Sequence, residues 1–178
     1  MSDSSTATGS GKKSYSAHAI HLMRTAQLGT LKLSQMADQK ASILLGATFL
    51  VFSLSVSRAL TGQMPVSLMI LAGFSFLSSL CAVMAVLPKV GRPDGKEAKT
   101  NLLFFGHFTS MDEEEWQDLL LERLESDETV FRTMAHDLYQ NGQVLAGKKY
   151  RFLALAYKTF MAGLFVTLAV FLFEITRA

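Results

Sequence analysis

ASILLGATFLVFSLSVSRAL (residues 41–60), TGQMP (61–65) and VSLMILAGFSFLSSLCAVMAVLP (66–88) decide the fold. No charged side chain stands between Lys40 and Arg58, and none between Arg58 and Lys89. A helix needs about 20 mostly apolar residues to cross a hydrocarbon core of about 30 Å. Both apolar runs meet or nearly meet that length, and the polar turn between them is short enough to force them antiparallel. The stretch 41–88 therefore reads as a transmembrane hairpin. Pro65 suits the first helical turn of the second run, and Pro88 ends it. The small residues Ser42, Gly46, Ser53 and Ser57 of the first run, with Ser75, Ser78, Ser79 and Ala82 of the second, are of the kind that let membrane helices approach closely.

On the N-terminal side, residues 14–40 keep a helical period. Tyr15, Leu22, Gly29 and Met36 recur every seven residues, and Ala19, Ala26 and Leu33 form a second row. Together they make one apolar stripe of an amphipathic helix. No proline or cap interrupts the passage from Met36 into Ala41. One long helix is predicted, cytosolic first and membrane-embedded after Lys40. Residues 1–13 are rich in Ser, Thr and Gly and lack the apolar core of a signal peptide, so they read as a disordered cytosolic tail.

On the C-terminal side, Lys89, Arg92, Lys96 and Lys99 stand in a linker containing Gly and Pro. Asn101–Phe108 (NLLFFGHF) is too short to span and reads as a buried strand, a short helix or an interfacial anchor. Ser110-Met-Asp-Glu113 matches a capping box, and Asp112–Glu115 suit the positive end of a helix dipole. Trp116, Leu119, Leu120 and Leu124 give that helix an apolar face, and it ends near Ser126. Ser126 or Asp127 opens a longer helical pattern in which Phe131, Leu138, Leu145 and Phe152 are spaced by seven. Its companion row, Met134, Asn141, Lys148 and Leu155, is interrupted by the Asn and the Lys. Gly142 and Gly147 each weaken a helix by about 1 kcal/mol relative to alanine. The pattern runs into a third apolar stretch, Thr159–Phe173. It is short for a span, but with Phe152–Tyr157 below it and Lys158 snorkelling it can still cross; the competing reading is a re-entrant or interfacial helix.

The expected organisation is a tail (1–13), a cytosolic helix (14–40), the hairpin (41–88), a cytosolic helical module (89–151) and a third transmembrane helix (152–174). The fold class is an all-α membrane protein, with three transmembrane helices and helical cytosolic extensions. Lys and Arg concentrate on one side of these spans: Lys12, Lys13, Arg24, Lys32 and Lys40; Lys89, Arg92, Lys96 and Lys99; Lys148, Lys149, Arg151 and Lys158. The other side has Arg58 in the turn and Arg177 at the end. The positive-inside rule then puts the N-terminus in the cytoplasm and the C-terminus in the periplasm.

Charged residues are 18 % of the chain and the net charge is +2, too small to argue for nucleic acid. The single cysteine, Cys81, permits no disulfide framework. No P-loop, GxSxG, HExxH or paired-cysteine motif occurs. His18 and His21 share a helix face without a carboxylate or cysteine beside them. His136-Asp137 is the dipeptide of metal phosphohydrolases, but the other ligands of such a site are missing. The expectation is a chain that is not an enzyme and needs no cofactor.

A binding site is the better expectation. Asp38, Gln39, Lys40 and Ser42 cluster where the first helix meets the membrane. Asn101 and His107 bracket Phe104 and Phe105, and Lys148, Lys149, Tyr150 and Arg151 lie at the matching depth before the third span. Bases stack on aromatic rings, and phosphates pair with Lys, Arg or backbone N–H groups. The plainer readings are an ion pair from Asp38 to a lysine, membrane-anchoring lysines, and core packing for the two phenylalanines.

At these same residues the sequence resembles a known family. The strings Met36-Ala-Asp-Gln-Lys-Ala-Ser-Ile-Leu-Leu-Gly46, Asn101-Leu-Leu-Phe-Phe-Gly-His107 and Lys149-Tyr150 look like successive signatures of the Pycsar transmembrane effectors, over roughly residues 22–171. The resemblance implies a bacterial inner-membrane effector of antiphage defence. A neighbouring cyclase would make its activating ligand, cyclic CMP or cyclic UMP, and the effector would damage the membrane, causing abortive infection. The heptad-spaced stripes of the first and last helices add the expectation of a homo-oligomer whose spans repack when ligand binds. The resemblance also implies ligand-response candidates at Asp38, Lys40, Asn101, His107, Lys149 and Tyr150. Some relatives attach a separate domain to such a unit; here the ligand would have to bind the membrane unit itself. The alternative is a small membrane scaffold or assembly protein with no ligand.

Overall fold

The computed structural model describes residues 14–62, 65–87 and 101–177. The expected tail and most of the linker after Pro88 lie outside the described residues. The chain is all α-helical among those residues. The elements are α1 (Ala19–Leu60), α2 (Val66–Val86), α3 (Phe105–Phe108), α4 (Glu113–Arg123), α5 (Asp127–Val144), a π-helical turn (Leu145–Tyr150) and α6 (Arg151–Arg177). Three helical segments, Ala19–Leu60, Val66–Val86 and Asp127–Arg177, are long and apolar enough to cross a membrane.

α1 is one unbroken helix, as the absence of a breaker predicts, and its 42 residues extend about 63 Å at 1.5 Å per residue. It starts at Ala19 rather than Ser14, with His18 as an N-cap that makes no side-chain capping bond. It stops at Leu60. There Thr61 N–H returns to the Arg58 carbonyl, and Gly62 takes a φ of 76°, a region that costs glycine little. Pro65 is the N-cap of α2, one position before the first helical turn. The third span also forms. α5, the π-turn and α6 make a continuous 51-residue helix, and the two glycines do not break it. Gly147 falls in the π-turn, where the backbone ladder steps from i→i−4 to i→i−5.

α1 and α6 run parallel, with α2 antiparallel to both. Their seam is built from small side chains. Ala37, Ala41 and Ala85 pack with Leu153 in one cluster, and Leu44, Ala82 and Ala156 in the next. Hydroxyls lace the same seam: Ser78 Oγ donates to the Ala156 carbonyl at 2.8 Å, and Ser79 Oγ to Thr48 Oγ1 at 2.7 Å. Ser75, Ser78 and Ala82 are buried here, as their size suggests. The small residues expected from the first span are not: Ser42, Gly46, Ser53 and Ser57 are all exposed. At 100° per residue they lie about 160° around α1 from the row Ala37, Ala41, Leu44, Thr48 and Ser55 that packs inward.

α2 is held at both ends by the long C-terminal helix. At its N-terminus the Glu174 carboxylate accepts from Ser67 N–H at 3.3 Å and Ser67 Oγ at 2.6 Å. At its C-terminus Lys148 Nζ donates to the Leu87 carbonyl at 2.6 Å. An anion at the start and a cation at the end both complement the helix dipole.

The capping of the remaining helices is local. Asp112, not Ser110, caps α4, accepting from the N–H groups of Glu114 and Glu115; Ser110 Oγ instead donates to the His107 carbonyl. Ser126 caps α5 in a capping box with Thr129. Trp116 of α4 fastens the preceding segment, its Nε1–H donating to the Leu102 carbonyl at 3.0 Å and its ring lying 5.2 Å from that of Phe108.

The tightest approach in the seam is at Gly163. A Cβ there would overlap the Phe74 Cβ and stand 2.8 Å from its Cγ. Gly46 has nothing within 4 Å. Gly163→Val is expected to destabilise the bundle by about 1–3 kcal/mol through overpacking. Gly46→Ala should stay within about 0.5 kcal/mol of the parent. Unfolding midpoints in mixed detergent micelles compare the two.

Candidate ligand cleft at the polar end of the bundle

Where α1 and the long C-terminal helix leave the apolar seam, they diverge around a cleft of about 1100 Å³. Its floor is the end of α2, at Ala85–Leu87. One wall is α1, presenting Arg24, Gln27, Ser34 and Asp38. The opposite wall is α5 and the π-turn, presenting Asp137, Asn141, Lys148 and Lys149. Phe104, Phe105 and His107 line it from the short α3 segment.

The wall-to-wall contact is ionic. Lys149 Nζ lies 2.8 Å from Asp38 Oδ1 and 2.6 Å from Oδ2, and it donates to Ser34 Oγ at 2.7 Å. This is an ion pair between Asp38 and a lysine before the third span, the plainer of the two readings offered for that aspartate. Lys148, one residue earlier, reaches the end of α2 instead. The π-turn thus ties one helix to both of its neighbours.

Behind this pair stands a buried carboxylate. Asp137 accepts from Asn101 Nδ2 and Asn141 Nδ2, each at 2.9 Å, and from Gln27 Nε2 at 3.1 Å. A buried charge is tolerable when its lone pairs are satisfied, and three amide donors from three segments do that here. Asn101, 1 % exposed, also closes the aromatic segment. Its Oδ1 accepts from Leu103 N–H at 3.0 Å, and its own N–H donates to His107 Nδ1 at 3.0 Å. His107 therefore carries its hydrogen on Nε2. Its ring stands edge-on to Phe104, 5.1 Å away. Phe105 is 57 % exposed rather than core.

Of the six residues singled out from sequence, Asp38, His107 and Lys149 lie on the cleft wall, and Asn101 supports it from behind. Lys40 and Tyr150 do not line it. Lys40 is exposed, and its carbonyl accepts from Tyr157 Oη at 3.2 Å. Arg24, Gln27, Asp137 and Asn141 were missed, and Lys148, named with the basic cluster before the third span, does line the cleft. A signal for Asn141 was present: with Lys148 it interrupts the apolar row of the long helix, and both residues line the cleft. His136 and Asp137 do not act together. His136 Nε2 lies 3.0 Å from Gln140 Nε2 while Asp137 holds its amides. Among the described residues no group of three or more His, Cys, Asp or Glu side chains is placed to hold a metal ion.

The model of the Pycsar effector protein domain matches residues 21–175. The chain belongs to the Pycsar effector family. Neither the curated proteins nor the solved structures contain a match. Membership makes the chain a membrane effector of antiphage cyclic-nucleotide signalling, in agreement with the resemblance of its three motif strings. In this Pycsar effector the strings come together in space. Asp38 of the first contacts Lys149 of the third, and Asn101 and His107 of the second line or brace the same cleft.

Removing the Asp137 carboxylate would strand three amide donors. Asp137→Ala is expected to cost about 2–3 kcal/mol and to loosen the Asn101–Phe108 segment. Hydrogen exchange of the backbone amides of Leu103 and His107 should accelerate, while that of the α2–α6 seam stays slow.

Proposed function

We propose that this effector is switched on by cyclic CMP or cyclic UMP made by a neighbouring cyclase, and that its active form breaks the integrity of the bacterial inner membrane. The cleft carries the reading. It is large enough for a mononucleotide, since ligand pockets run from about 300 to 1000 Å³. Phe104 and Phe105 offer faces for a base. The two lysines offer charge for a phosphate, and Arg24, His107, Gln27 and Asn141 offer further polar groups along the cleft. No cofactor enters the scheme. The concentration of Lys and Arg at the cleft end supports a cytoplasmic cleft and a periplasmic C-terminus.

The active form is a homo-oligomer. Leu22, Gly29, Met36, Ile43, Leu50 and Ser57 are spaced by seven along α1, and all are exposed. A heptad row on one continuous helix, passing from the polar end into the apolar segment, is what a second copy packs against in a supercoil. The ligand repacks these assembled spans and opens a leak. In a Cys81→Ser background, Met36→Cys should then form a disulfide-linked dimer under mild oxidation, and Ala37→Cys, on the buried face, should not.

The activity is tested with purified protein in liposomes loaded with a self-quenched dye. Dye release is expected on addition of cyclic CMP or cyclic UMP and not before. Vesicles that stay tight with both, and protein that binds neither, would falsify the reading.

A further inference from the structure

An ammonium group has three hydrogens to donate. In Lys149 the two Asp38 oxygens share one side of the ammonium, at 2.8 and 2.6 Å, and Ser34 Oγ takes another at 2.7 Å. The pair is nevertheless open to the cavity. The Lys149 side chain is 20 % exposed and that of Asp38 is 38 % exposed, and both line the cleft. An anion that is to make the same two-oxygen contact with Lys149 has to displace the Asp38 carboxylate. The bidentate contact has the shape of a phosphodiester contact, with two oxygens on one atom sharing one negative charge.

We propose that Asp38 is an internal occupant of a phosphate seat. The seat is the Lys149 ammonium, with Lys148 next to it in the chain, and its ligand class is a singly charged phosphodiester. This rests on the reading that the cleft takes a cyclic nucleotide, and adds how the site is held in its absence. The incoming phosphate takes the place of the Asp38 carboxylate on Lys149, so the carboxylate competes with the ligand. Asp38 is thus a negative element of the site rather than a ligand contact. The neighbouring anion, Asp137, does not play this part, because its oxygens are taken by the three amides.

Competition has a signature that a merely structural ion pair lacks: removing the aspartate tightens binding, and only for charged ligands. The full chain in lipid nanodiscs is titrated with cyclic CMP and cyclic UMP, and with cytidine and uridine as uncharged probes. Asp38→Asn, which keeps the shape and removes the charge, is expected to raise nucleotide affinity roughly three- to tenfold, the scale of a half-exposed ion pair. It should leave the nucleosides unchanged. Ser34→Ala, which frees one donor without altering charge, should move affinity the same way by less. Lys149→Met should lower it about tenfold or more. If the parent binds a cyclic nucleotide but neither Asp38→Asn nor Ser34→Ala tightens it, the competing seat is overturned and the ligand reading stands. Nucleosides that gain as much as nucleotides overturn the seat in the same way. If the parent binds neither nucleotide, both fall.

Discussion

Inside a bilayer an apolar side chain gains nothing by exchanging lipid for protein, so three apolar helices need another reason to stay together. Here the reason is close approach. The buried positions of α2 are Ser67, Ala72, Ser75, Ser78, Ala82 and Ala85, and α6 meets them with Leu153, Ala156 and Gly163. Side chains this small bring backbones near enough for dispersion and for hydroxyl bonds such as Ser78 to Ala156. Large apolar residues are turned outward: Phe49, Leu54 and Phe165 are each 66 % exposed or more, as lipid-facing residues should be. The polar groups that position the helices along one another sit at the two ends of α2, on Glu174 and Lys148.

Much of this was legible because bilayers impose coarse rules. Charge-free runs near 20 residues, a five-residue polar turn and an unbroken passage from Met36 into Ala41 sufficed for the hairpin, and the seven-residue spacing from Phe131 to Phe152 led into the shorter third stretch. Which face of each helix packs inward was less legible. α1 carries two stripes of small or short residues on opposite sides, and composition cannot rank them, because in lipid neither face is selected by hydrophobicity. The stripe that looked like a packing surface is exposed, and the seam uses the other. Likewise Ser110 and Asp112 are both good caps; Asp112 takes the cap and Ser110 bonds back to His107.

The cleft was half legible for a related reason. Polar chemistry beside the spans points to Asp38, Asn101, His107 and Lys149. Arg24 and Gln27 lie several turns from the apolar run, on a helix too regular to mark them. Asp137 looks in sequence like half of a metal-binding dipeptide. Its actual partners are amides from α1, from α5 itself and from the aromatic segment, a network that no single stretch of sequence displays. Asn141 and Lys148 look like defects in an apolar row. A polar residue that breaks a helical stripe just outside a membrane is better read as a sign of a cavity there.

The π-turn explains how a small cleft and a three-helix bundle come to share parts. Lys148 and Lys149 are adjacent in sequence, yet one holds the end of α2 and the other holds α1. Both residues also line the cleft. A change of charge in the cleft therefore acts on the contacts that fasten the helices, with no intervening relay. α1 and the α5–α6 helix are continuous from the cleft into the apolar segment, so a shift of either wall is a shift of a span. The exposed heptad row of α1 lies on that same rigid element. Cleft, bundle clamp and outward-facing row are thus built on the same two helices.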